Sequence, residues 1–215
     1  VARLNGPSVS GNPKPMTEGS TDAPIRPELP ALASMSLAEV ARAAAEKRLP
    51  PVEQWTPAHC GHSDMRIARD GTWFHGGTPI GRPALVRLFS TILRREPDGR
   101  FVLVTPVEKL DIDVEDAPLQ AVEVKSEGSG RERTLAFRLA TDEIVIAGPA
   151  NPLTFRPDPD GTPKPYLHVR GTIGNGIEAL IARPVFYELA EWALAEARDG
   201  PPGLWSGGAF FAFPA

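Results

Sequence analysis

The sequence predicts an α+β protein made of two repeated strand–hairpin–helix units with antiparallel sheets. Three observations lead there. First, Asp70-Gly71-Thr72 returns as Arg170-Gly171-Thr172, and Ile80-Gly81-Arg82-Pro83 returns as Ile181-Ala182-Arg183-Pro184, each about 100 residues later. Second, several segments alternate apolar and polar residues with a period of two, the signature of half-buried strands. Third, each Arg-Pro pair is followed by apolar residues three and four apart, a helical stripe. The echo reads as an internal duplication. It divides the chain into a tail over 1–34, an N-terminal domain over 35–116 and a C-terminal domain over 117–215.

The totals bound the function. With 41% hydrophobic residues in 215, the chain can bury a real core. A net charge of −4 argues against a non-specific nucleic-acid binder, which needs a basic surface. A single cysteine excludes an intrachain disulfide. No apolar run approaches the ~18 residues of a membrane helix. No secretion signal is visible. A soluble cytoplasmic protein is therefore expected, with no membrane partner.

Residues 1–34 are rich in Pro, Gly, Ser and Asn, and are expected to be disordered and dispensable. Met16 and Met35 are alternative initiators. Ser36-Leu37-Ala38-Glu39 fits a capping box, with Met35 and Val40 as its staple. The helix it opens ends at Pro50-Pro51. Residues 49–63 read as a proline-broken lead-in anchored by Trp55. Within it, His59-Cys60-Gly61-His62 matches no convincing zinc pattern, because no second ligand pair exists among four histidines. Met65, Ile67 and Trp73 alternate around an Asp70-Gly71 turn, and Gly76-Gly77 reverses the chain again. Pro83 suits a first helical position. Leu85, Leu88, Phe89, Ile92 and Leu93 extend that helix, with Arg94 and Arg95 at its C-terminal end, where the dipole favours cations.

After a Pro97-Asp98-Gly99 turn, Phe101–Thr105 reads as a buried strand. Leu110, Ile112 and Val114 alternate with Asp111, Asp113 and Glu115, the solvated face of an antiparallel strand. Residues 121–125, 133–140 and 143–147 are further strands. The segment 148–165, with six prolines, is a loop or lid. Residues 166–170 resume a strand, and Gly174-Asn175-Gly176 signals a hairpin rather than a phosphate loop, since the glycine order fits neither nucleotide fingerprint. A second helix starts at Pro184 and stops at Asp199-Gly200-Pro201-Pro202. Trp205, Phe210, Phe211 and Phe213 should dock on the body or form a self-association patch.

Several strings resemble a bacterial family catalogued as domain of unknown function 1285: Cys60-Gly61, Asp64 to Phe74, Thr78 to Ser90, Val104 to Lys109 and Val114 to Pro118. The likeness covers most of residues 50–200. It implies a duplicated core whose second half is loosely similar to pleckstrin-homology-like barrels. It also implies a pocket at the junction of the halves for a nucleotide-like ligand, and a signalling role. It brings no catalytic residues.

The chemistry legible in the residues is sparse. Arg82 and Arg183 stand at helix N-termini, where the dipole opposes them. Their partners are either internal carboxylates (Glu108, Asp111, Asp113) or an external anion shared with helix N–H groups. The expected ligand-binding set is Arg82, Arg183, Trp73, His75, Lys109, Tyr166 and His168, with the aromatics and histidines contacting a base. The expected function is a non-enzymatic sensor of an anionic small molecule, with no cofactor and no resident metal. The alternatives are a metal-dependent hydrolase or transferase of a phosphorylated metabolite, using Asp111 to Asp116, and a structural partner-binding protein.

Overall fold

The computed structural model describes residues 1, 36, 42, 49–197 and 200–214. The expectations for 1–34, and for all but isolated positions of the helix after Ser36, lie outside the described residues.

The described chain is mostly sheet. Its first half runs β1 (His59–Ile67), β2 (Trp73–His75), β3 (Thr78–Pro79), α1 (Pro83–Thr91), β4 (Leu93–Arg95), β5 (Phe101–Val104) and β6 (Glu108–Val114). The second runs β7 (Leu119–Glu127), β8 (Thr134–Leu139), β9 (Ile144–Ile146), β10 (Leu153–Pro157), β11 (Pro163–Thr172), β12 (Asn175–Ile181) and α2 (Arg183–Glu196). A closing hairpin, β13 (Gly203–Ser206) and β14 (Ala209–Ala212), follows.

The first sheet has the order β3-β2-β1-β6-β5-β4 and the second β10-β11-β12-β7-β8-β9. Numbered from its own first strand, each reads 3-2-1-6-5-4. Each half is thus two antiparallel meanders whose inner strands pair in parallel, β1 with β6 and β7 with β12. The sheets are therefore mixed, where the sequence had suggested antiparallel ones. Both are open, since strand pairing does not join their edges into a barrel.

The duplication is real at the level of the sheet, yet the sequence echo does not mark equivalent strands. Both Arg-Pro pairs do open helices. However, α1 leaves the edge strand β3, whereas α2 leaves the central strand β12. Gly71 lies in the turn between β1 and β2, while Gly171 lies within β11 opposite Gly176. What recurs is a local solution: a left-handed glycine, φ 82° in both, and a proline pre-set for a helical first turn.

Two further readings are corrected. The stripe through Leu93 is not one helix. α1 ends at Thr91, and Leu93–Arg95 turns into β4, paired to β5 as Leu93↔Leu103 and Arg95↔Phe101. Leu93 gains a fully buried place in the core there, whereas Leu88 stays 56% exposed on the helix. The second correction concerns His59–His62, read as a loop. It is the start of β1, held in register with β6 as His59↔Glu108 through His62↔Asp111. No apolar side chain is needed because all four residues, Gly61 included, are exposed and the pairing is made by backbone.

One hydrophobic core joins the halves: Ile67, Trp73, Leu93 and Ile112 with Leu119, Phe137, Leu167, Ile177 and Leu189. On the other face of β5, Val102 and Val104 pack with Val52 and Trp55, so Trp55 is an anchor as expected. Of the C-terminal aromatics, Phe211 and Phe213 dock, while Phe210 stays 42% exposed beside the Trp205 ring. Leu204 is fully buried, and Phe213 meets the Phe155 ring at 4.9 Å. Ser206 Oγ donates to Ala147 O at 2.7 Å and accepts from Leu135 N at 2.8 Å, fixing the hairpin to the second sheet.

Candidate functional site

The halves meet where β4 lies beside β12. Three polar contacts lock this seam. Arg170 of β11 reaches across to the carbonyls of Ser90 and Leu93, near the end of α1, where helix carbonyls lack intrahelical partners. Asn175 Nδ2 donates to Glu96 O at 3.0 Å. Arg87 Nη1 donates to Asp142 Oδ2 at 2.7 Å. The Arg170 side chain is 15% exposed, with Glu143 Oε2 at 3.6 Å. Burial pulls its pKa below the ordinary arginine value, with the Glu143 and Glu53 charges working the other way.

A cleft of about 460 Å³ opens along the seam. One wall is the residue run Arg94–Pro97 with Glu53 and Thr56; the other is Gly171, Thr172, Asn175, Gly176 and Ile177. The volume falls in the range typical of small-molecule sites. The glycine wall is forced by close packing. A Cβ on Gly176 would meet His168 Cε1 at 2.6 Å and clash with the Arg170 carbonyl. Backbone therefore faces the cleft there.

Its charges differ in how they are engaged. Arg94 donates to Val52 O at 2.6 Å and Trp55 O at 2.9 Å, and pairs with Glu96 at 2.7 Å. Lys109 Nζ holds the second Glu96 oxygen at 3.0 Å. Burial alone would raise the Glu96 pKa, but the bonds from Lys109 and Arg94 outweigh it and hold the carboxyl below its ordinary value. Arg95, one residue on, points off the other face of the strand. Its Nε donates to Gly99 O at 3.2 Å and its guanidinium lies 5.1 Å from the Phe101 ring centroid. Among the described residues it has no carboxylate within ion-pair distance. Two cations and two carboxylates line the cleft, and Lys109 leaves one positive charge in excess.

Arg95 also lines a second cleft, of about 310 Å³, with Phe101, Asp116, Pro118, Arg156, Tyr166, Gly174 and Glu178. Here the charged groups other than Arg95 satisfy one another. Arg156 forks onto Glu178 at 3.0 and 2.8 Å and covers the Tyr166 ring at 3.7 Å. Tyr166 donates to Asp116 Oδ1 at 2.7 Å, and Lys164 takes Asp116 Oδ2 at 3.0 Å. Burial, then the Asp116 bond, raises the Tyr166 pKa and keeps the phenol protonated.

The sequence-derived candidates scatter. Tyr166 lines the second cleft, and Lys109 braces the first through Glu96. Trp73 is 3% exposed and fills the core. His168 is buried, its Nε2 3.2 Å from Gly171 O and its Nδ1 without a partner. His75 is exposed near the far edge of the first sheet, and no contact joins it to His168. Arg82 and Arg183 are exposed, line neither cleft and pair with none of the proposed carboxylates. Asp111 instead receives both bonds from Arg100 Nη1, at 2.9 and 2.8 Å. Among the described residues no three His, Cys, Asp or Glu side chains gather as a metal site would require, and no helix is long and apolar enough to cross a membrane. Sequence reasoning missed Arg94, Arg95 and Glu53. The signal was the Pro97-Asp98-Gly99 turn, which placed the two arginines on a hairpin strand with opposite faces.

Residues 50–117 match the model for the N-terminal domain of a domain of unknown function, DUF1285, and residues 118–213 match the DUF1285 C-terminal domain. The crystal structure of a DUF1285 family protein from Silicibacter pomeroyi DSS-3 is similar at 52% identity and a TM-score of 0.70, over 82% of this chain and 93% of that one. A DUF1285 family protein from Shewanella baltica OS155 matches at 23% identity and a TM-score of 0.45, over 59% of this chain and 90% of that one. No curated protein matches. The chain belongs to the DUF1285 family.

Proposed function

We propose that this DUF1285 protein is a non-enzymatic small-molecule binding protein whose ligand is anionic and sits in the cleft between the halves. One observation carries the reading: Arg95, half-buried, lines the cleft with no carboxylate within ion-pair distance among the described residues. A phosphate or carboxylate there would receive two parallel N–H donors. A nucleotide-like ligand would fill the 460 Å³ more completely than a bare anion. Because both walls come from different halves, a ligand bound between them would tighten the seam, which is what a signalling role requires. The pleckstrin-homology-like build of the second half remains part of the same proposal.

Thermal shift and calorimetry with inorganic phosphate, AMP and ADP test it. Wild type should be stabilised by at least one of them, with Arg95→Met weakening binding by about tenfold or more, the worth of a charge-assisted hydrogen bond. No stabilisation, or equal binding by the variant, overturns the proposal.

A further inference from the structure

We infer that the ligand of the junction cleft is a zwitterion of the amino-acid class, its acidic group on Arg95 and its protonated amine on Glu53. The inference rests on the anion-binding reading above and deepens it.

Two of the cleft's four charges are consumed internally: Arg94 and Glu96 bond each other, and Lys109 completes Glu96. The other two, Arg95 and Glu53, are of opposite sign and line the same cleft, yet form no ion pair with each other. Among the described residues neither has a charged partner within bonding distance. Glu53 belongs to a short 3₁₀ turn, Val52–Gln54, anchored by buried Val52. Its charge acts on that of Arg170, a half-buried residue whose neighbour Gly171 lines the facing wall.

A simple anion would satisfy Arg95 and leave Glu53 repelling it across the cleft. A molecule with both charges turns that repulsion into a second attraction. The lining between them suits a compact polar ligand: Thr56, Thr172 and Asn175 supply hydroxyl and amide groups, and the glycine wall exposes backbone.

The test is calorimetry and thermal shift with each of the twenty common L-amino acids, and for every one that binds, the matched carboxylic acid lacking the amine. Wild type should bind at least one amino acid about tenfold or more tightly than its deaminated match. Glu53→Gln should erase that preference, weakening the amino acid while the deaminated acid, freed of the repulsion, binds at least as tightly as before. Arg95→Met should weaken both, and Arg95→Lys should restore part of the binding. Glu53 is exposed, so Glu53→Gln is expected to fold, which circular dichroism checks. If acids or phosphates bind but amino acids bind no better, the zwitterion inference fails and the anion reading stands. If nothing binds, both fail. If an amino acid binds with undiminished preference in Glu53→Gln, its amine is held elsewhere and the assignment is overturned.

Discussion

Replacing Arg170 with methionine should unfasten the two halves. The guanidinium is 15% exposed and donates to Ser90 O and, at 3.5 Å, to Leu93 O, with Glu143 Oε2 at 3.6 Å. The Leu93 contact lies at the limit of a hydrogen bond and counts for little. The Ser90 bond has a charged donor and is worth about 1.5–3 kcal/mol. Removing one side of a buried charge pair costs roughly 3–5 kcal/mol. Against this, methionine relieves the desolvation that pulls down the arginine pKa. The net expectation is a loss of about 2–4 kcal/mol. Urea unfolding followed by tryptophan fluorescence reads it, with the midpoint falling and the slope unchanged. Adding Glu143→Gln should recover part of the loss, giving a coupling of about 1 kcal/mol or more between the positions. A loss under about 0.5 kcal/mol, the level of an ordinary surface change, would show that the seam does not depend on this clasp.

Gly176→Ala should destabilise by about 2 kcal/mol or more, because its methyl would press on His168 Cε1 at 2.6 Å and on two backbone carbonyls; a melting curve like that of wild type would refute the close packing. Trp73→Ala should cost about 3–5 kcal/mol as a core deletion, and binding in the residual folded protein should be unaltered since Trp73 lines neither cleft. Arg82→Ala and Arg183→Ala should each stay within about 0.5 kcal/mol in urea, as both are exposed. Glu96 has a depressed folded pKa, so its contribution is present above the ordinary value of 4.5 and is lost as pH falls through the folded value. Stability measured between about pH 5 and pH 3 should therefore fall more steeply in wild type than in Glu96→Gln.

How much of this was legible depends on the range of the interaction. Turns were, because Gly71, Gly99 and Gly174 act locally through positive φ. So was the docking of Phe211 and Phe213, since leaving large rings in water is costly, although Phe210 stays exposed. The end of α1 was not. Ile92 and Leu93 keep helical spacing, and only pairing with β5, made across a turn, turns Leu93 into a strand residue. The strand at His59–His62 was hidden for a similar reason: its partner β6 lies about 50 residues on and asks nothing of its side chains. The site suffered most. Arg82 and Arg183 attracted attention for a conflict with helix dipoles, which exposure to water weakens. Arg95 looked ordinary at a helix end and gained its significance only from the cleft that another half of the chain builds over it.

The parallel pairing of first and last strands sets an order on synthesis. In each half the strand made first waits for the strand made last: His59 for Glu108, and Leu119 for Ala179. A nascent first half holds β1 with its outer neighbours β2 and β3 but with an open inner edge, until β6 leaves the ribosome. That edge is long and backbone-rich, the kind of surface on which chains misassociate. Its polar opening, His59-Cys60-Gly61-His62, keeps the waiting edge hydrophilic during the interval. Sheet completion is necessarily a late, long-range event in each half, so folding should be slow for a chain of this size. A ribosome-stalled chain ending before residue 108 would carry an unfinished sheet, while one long enough for residue 114 to clear the exit tunnel could complete its first half.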